Sequence, residues 1–156
     1  MPSALTESEI AFLQDAAAAA AQNSYSPYSH FRVGCAILLE ENPLAASSIT
    51  IPPIPAGTIV TGTNVENASY RLTTCAEQSA IAAAVSSFGP AIRIRALAVA
   101  NLNRAACMPC GACRQTIAEF AAPQTPIFYP AATGETVATT LAQLLPAAFS
   151  LKNDPL

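Results

Sequence analysis

The chain is 156 residues long, 52% hydrophobic and only 11% charged, which sizes it as one domain and excludes a disordered chain, since disorder needs low hydrophobicity and high charge. Its net charge of −3, its pI near 5.0 and the lack of any Lys/Arg block argue against a groove for duplex nucleic acid. A charged fraction far below the roughly 25% usual in globular domains predicts that part of the surface is hidden in an oligomer.

Residues 6–23 predict a helix, with Thr6 as cap, Glu7 and Glu9 in an acidic first turn, and alanines after them. The stretch MPSALTESEIAFLQD carries acids and no early basic residue, so no export signal is expected there. The expected location is therefore cytoplasmic, with the five cysteines reduced rather than paired. No apolar run approaches the length of a membrane span. Pro27 breaks the helix, and FRVGCAILL (31–39) predicts a strand. The Pro- and Ser-rich stretch 40–57 reads as a surface insertion loop. Residues 58–65 predict a strand that pairs with the first as a hairpin, and 75–88 a helix stopped by Gly89-Pro90. A strand over 92–101, a helix over 110–121, a strand over 125–130, a short strand or turn, and a last helix over 139–146 complete the chain. Helices alternating with strands predict one α/β domain over 1–156, a three-layer α/β/α sandwich around a central mixed sheet.

The chemistry concentrates in the cysteines. Cys75 and Cys110 each fall at the start of a predicted helix, and Cys113 lies one turn beyond Cys110. Exposed N–H groups and the helix dipole favour thiolate at such positions. Three thiolates converging from two helix starts would form a tripod for Zn²⁺, leaving a fourth position for water, which is the catalytic pattern. Glu77 does not share a helical face with Cys75, but near the first turn it can edge the same pocket and move protons for water held there. Its alternative role is to complement the helix dipole. The single histidine, His30, reads as a loop residue. Cys107 would close the shell as a Cys₄ or iron–sulfur site if it joined the others. Pro109 starts the next helix after it, so Cys107 is expected to stand aside, and Cys35 to be a buried apolar filler. A structural zinc module and a thiol–redox protein are the rivals from other classes.

CAE (75–77) followed by PCGAC (109–113) resembles a Cys₃ form of the zinc-deaminase signature. With YSPYSHFRVGCAI (25–37), GTNVENASY (62–70), PCGACRQ (109–115) and LLPAAF (144–149), the chain resembles the small homotetrameric cytidine deaminases of pyrimidine salvage over roughly residues 10–149. The resemblance implies one Zn²⁺ per subunit on Cys75, Cys110 and Cys113, with Glu77 as the proton shuttle. It implies hydrolytic deamination of cytidine and 2′-deoxycytidine to the uridines and ammonia. Asn64 and Glu66 would hold the ribose hydroxyls, Phe31 would pack on the pyrimidine, and Ala76 joins the substrate-binding set. Tyr70 and Phe149 would complete sites in neighbouring subunits of a homotetramer, with a small nucleoside as substrate and neither nucleic acid nor membrane as partner. A deaminase of another aminonucleoside, such as blasticidin S, shares the zinc core, and NVENASY favours ordinary nucleosides. Gln78 stands where the family commonly has Arg. Three thiolates around Zn²⁺ carry one excess negative charge, which Arg114 or the helix dipoles are expected to offset.

Overall fold

The structure, a computed structural model, describes residues 4–42 and 52–151. The elements in chain order are α1 (Glu7–Ala21), β1 (Val33–Leu39), β2 (Ile59–Thr63), α2 (Ala76–Phe88), β3 (Ile94–Asn101), α3 (Gly111–Ala118), β4 (Pro126–Pro130), β5 (Thr136–Thr140) and α4 (Leu141–Leu144), with a 3₁₀ turn at Tyr70–Leu72. The sheet runs β2-β1-β3-β4-β5. Among the strands of the described residues only β3 and β4 pair parallel, so the sheet is mixed as expected, and β1 and β2 pair antiparallel in the register Cys35 opposite Gly62. The middle of the 40–57 loop lies outside the described residues. At its base Asn42 and Ile54 exchange backbone hydrogen bonds at 3.0 Å, and Ile54 is buried.

Alternation along the central strands loads both faces of the sheet. Val33, Cys35, Ile37 and Leu39 of β1 join Ala76, Ala80, Ile81 and Ala84 of α2 in the larger core. Ala36 and Leu38 face the other way, with Ala96 and Ala98 of β3, onto Leu13 and Ala17 of α1. Every residue of β1 is buried, which fits a strand covered on both sides. The first helix begins as its sequence predicts. Glu9 N–H donates to Thr6 Oγ1 at 3.2 Å, and Thr6 N–H donates to Glu9 Oε2 at 2.8 Å, a reciprocal cap. The same Glu9 meets Arg95 at 2.8 Å, and Arg95 is the residue skipped where the β1–β3 register shifts.

The alanine richness of both long helices has a geometric cause. Small side chains let each helix axis approach the sheet, and the strand answers with a glycine. A Cβ on Gly34 would stand 2.1 Å from the carbonyl oxygen of Ala17 in α1. A Cβ on Gly62 would stand 2.2 Å from the backbone nitrogen of Ala80 and 2.6 Å from the carbonyl oxygen of Ala76. Backbone cannot move aside as a side chain tip can. Gly62→Ala is therefore expected to lower the unfolding free energy by about 1–3 kcal/mol or more, as overpacking does, measured as a drop in denaturant midpoint. A wild-type midpoint would show that α2 does not sit this close to β2.

Candidate active site

The N-termini of α2 and α3 open toward the same end of the molecule. Cys75 is the N-cap residue of α2 and Cys110 that of α3, and Cys113 lies in the first turn of α3. The three sulfurs lie within 4.8 Å of one another, and those of Cys110 and Cys113 are 3.4 Å apart. At a tetrahedral zinc with Zn–S near 2.3 Å, neighbouring sulfurs stand about 3.8 Å apart, so the cluster is positioned to hold one such ion. An all-sulfur donor set suits zinc and excludes magnesium or calcium, which take oxygen.

Local chemistry shapes each ligand. The backbone N–H of Cys113 points at the Cys110 sulfur at 3.5 Å, as the exposed amides of a helix start should. A proton held between Cys113 and Cys75 brings Cys75 down to about 7, while the same hydrogen bond, with burial, pushes Cys113 up. Cys107 lines the same cavity but is not part of the sulfur cluster. Burial and the charge of Glu77 raise its thiol to about 11. Cys35 is fully buried in the core, as its sequence setting predicts.

Glu77 is 5% exposed and lines the cavity beside the cluster. Desolvation raises its pKa, and hydrogen bonds from its own N–H and from the Cys113 thiol offset part of that rise. The residue sits in the first turn of α2, directly after Ala76, which is fully buried and also lines the cavity. A carboxyl with little water around it can take and return a proton readily at neutral pH.

The cavity has a volume of about 290 Å³, near the lower end for small-ligand pockets. Besides the sulfurs and Glu77 it is lined by Phe31, Val33, Asn64 and Glu66. Asn64 and Glu66 follow β2 and are held by the segment before β1. Asn64 Oδ1 accepts from Val33 N–H at 3.0 Å and Ser24 Oγ–H at 2.5 Å, while Nδ2 donates to Phe31 O at 2.8 Å. Both lone pairs of its oxygen are used, so only one N–H remains for a ligand. The Glu66 carboxylate accepts from the N–H groups of Tyr28 at 2.9 Å and Ser29 at 3.2 Å, and from the Ser29 hydroxyl. The Ser29 hydroxyl, ahead of burial, sets the balance that keeps this carboxyl below the usual range. It retains acceptor capacity. One residual donor next to one residual acceptor matches a vicinal diol.

Other expected residues fall elsewhere. Tyr70 and Phe149 are 72% and 69% exposed and do not line this cavity. The Tyr70 ring packs edge-on against Tyr28, with centroids 6.2 Å apart. His30 is an exposed loop residue at φ 58° and does not line the cavity, as its setting predicts. Gln78 Oε1 accepts from the Cys75 N–H at 3.4 Å, so it caps α2 and steadies the metal turn without adding charge. Arg114, expected as one source of compensating charge, spends its guanidinium on two carbonyls, Pro109 at 2.8 Å and Leu144 at 3.1 Å. Those acceptors are neutral, so the guanidinium keeps its positive charge one residue from Cys113. Sequence reasoning did not single out Ser29, Thr73, Val33 and Met108, which also line the cavity. Ser29 had a signal, since its hydroxyl sits two residues before Phe31 in PYSHF.

Residues 54–129 match the family model described as the cytidine and deoxycytidylate deaminase zinc-binding region. A cytidine deaminase of Sporosarcina psychrophila is 41% identical over 132 residues, covering 84% of this chain and 84% of that protein. The crystal structure of cytidine deaminase from Burkholderia pseudomallei superposes with a TM-score of 0.71 at 35% identity, covering 93% of this chain and all of that one. That from Mycobacterium tuberculosis gives 0.71 at 37% identity, covering 91% and 98%.

Proposed function

This chain belongs to the cytidine and deoxycytidylate deaminase family, and from that premise we propose that it hydrolyses cytidine and 2′-deoxycytidine to uridine and 2′-deoxyuridine with release of ammonia. It is a zinc hydrolase acting on a cyclic amidine. The observation that carries the reading is the convergence of three cysteine sulfurs and the buried Glu77 on one cavity. A purely structural zinc site has no use for an acid beside it.

Cys75, Cys110 and Cys113 would hold the zinc, which when bound would supply the Lewis acidity that makes water nucleophilic at neutral pH. Glu77 does the proton work. As water adds to C4 of the pyrimidine, the carboxylate takes its proton and delivers it to N3. It then takes the remaining hydroxyl proton and hands it to the 4-amino nitrogen, which leaves as ammonia. The C4 carbonyl and N3–H of uridine remain, and Glu77 ends as it began. Phe31 packs on the ring, and Ala76 closes the cavity floor without filling it. The spare N–H of Asn64 and the Glu66 carboxylate bind the ribose hydroxyls, a division of labour supported by their remaining hydrogen-bond capacity.

The working unit in this reading is a homotetramer with shared active sites. Tyr70 and Phe149 stand exposed outside their own cavity, as residues serving a neighbouring copy should. Among the described residues no helix is long and apolar enough to cross a membrane, and a site of three reduced cysteines supports the cytoplasm as the expected location. Purified protein is expected to carry about one zinc per subunit and to convert cytidine to uridine in an ultraviolet assay. A zinc-loaded preparation that leaves both cytidine and 2′-deoxycytidine unchanged would overturn the assignment.

A further inference from the structure

Consecutive side chains on α3 hold the end of α4 and the chain that follows it. Arg114 ties the carbonyl of Pro109, at the metal turn, to that of Leu144. Gln115 goes further and grips one residue from both sides. Its Nε2 donates to Phe149 O at 2.7 Å, and its Oε1 accepts from Phe149 N–H at 3.3 Å. A side-chain amide here pairs with both backbone groups of a residue, much as a neighbouring strand would. The residue so fixed is a phenylalanine that is 69% exposed and absent from the wall of its own cavity. Fixing this backbone costs conformational entropy, and the ring it carries buries little against its own chain.

We infer that Gln115 is a positioning residue of the active site, holding Phe149 at a fixed offset from the metal turn so that its ring enters the substrate cavity of a second copy. The inference rests on the shared-site reading above. Helical geometry supports the division of roles on α3. Cys113 is fully buried, and Gln115, two residues on, is turned about 200° away from it. One helix thus directs a sulfur inward to the metal and an amide outward to the C-terminal arm.

The test uses the zinc-loaded assembly and four variants: Gln115→Met, Gln115→Ala, Phe149→Ala, and the Gln115→Met/Phe149→Ala double. Each Gln115 variant is expected to raise KM for cytidine about tenfold, the worth of two modest hydrogen bonds. Their kcat should stay within about twofold of wild type, with zinc content and assembly size unchanged. The double variant should be no worse than Phe149→Ala alone, because the amide acts only through the ring. Wild-type KM in both Gln115 variants beside an impaired Phe149→Ala would overturn this inference alone. So would multiplicative losses in the double variant, or loss of zinc or of assembly on changing Gln115. Wild-type KM in Phe149→Ala would remove the shared-site role and this inference with it. A wild-type protein that does not turn over cytidine would instead refute the enzymatic reading.

Discussion

Glu77→Gln is expected to keep its zinc and lose turnover by about four orders of magnitude, the upper end of what general acid–base catalysis contributes. The same carboxyl serves two proton transfers, so its loss should fall at that end. Such a loss equals about 5.4 kcal/mol of transition-state stabilisation. Glutamine preserves size and hydrogen-bonding shape but can neither take nor return a proton. Glu77 is buried beside the sulfurs and is not one of the three, so metal content should stay at the wild-type level. The neutral amide should also remove the burden of a buried carboxyl whose ionised form burial disfavours. The variant is therefore expected to be at least as resistant to denaturant as wild type. Metal analysis, steady-state kinetics and a denaturant titration on one preparation check all three parts. Activity within tenfold of wild type would refute the shuttle, and loss of zinc would make Glu77 a ligand.

The elements around this site are legible in the sequence because their signals are local. Pro109 and the glycine after Cys110 mark a helix start, and Thr6 with Glu9 marks another. Branched and apolar residues in 31–39 and the alternation that opens 92–101 give strands, trimmed in the structure to Val33–Leu39 and Ile94–Asn101. The helix expected over 139–146 shrinks to Leu141–Leu144. Thr139 and Thr140 are taken by β5, with Thr140 also capping the helix, and Pro146 follows its end. The convergence of Cys75 with Cys110 follows once two helix starts lie on one end of one sheet.

What is not legible depends on partners far away in the chain. The partners that use up the Asn64 oxygen and one of its N–H groups are Ser24, Phe31 and Val33, which lie 31 to 40 residues before it. The grip of Gln115 on Phe149 spans 34 residues. No local pattern distinguishes an amide that meets a ribose from one that holds a loop. The glycines are similar, since Gly34 and Gly62 read as ordinary weak strand positions until the helix backbones arrive over them. Arg114 shows the limit most plainly. A positive charge next to Cys113 invites an electrostatic role, and only the fold shows that its hydrogen bonds also brace the turn through two carbonyls.

Removing the metal is expected to do more than stop catalysis. Three sulfurs crowded within 4.8 Å cannot all ionise without a cation between them, so stripping zinc leaves a site that must hold protons or spread apart. Because the ion binds the folded site and scarcely the unfolded chain, it stabilises the fold by about 4 kcal/mol when present at a thousand times its dissociation constant. For a chain of this size that corresponds to a fall in melting temperature on the order of 10 °C on chelation. Turnover and melting temperature should return together on adding zinc back, and chelation should be easier in acid, where protons compete for the thiolates. Scanning calorimetry with and without chelator reads the effect. Unchanged melting would mean that the ion contributes nothing to the fold. Two substitutions separate an open coordination shell from a closed one. Cys113→Ala, at a fully buried ligand, should lose the metal and melt like the chelated protein. Cys107→Ala, outside the cluster though on the same cavity, should keep it. Should Cys107→Ala also lose its zinc, the shell would hold four sulfurs, no position would remain for water, and hydrolysis at this site would be impossible.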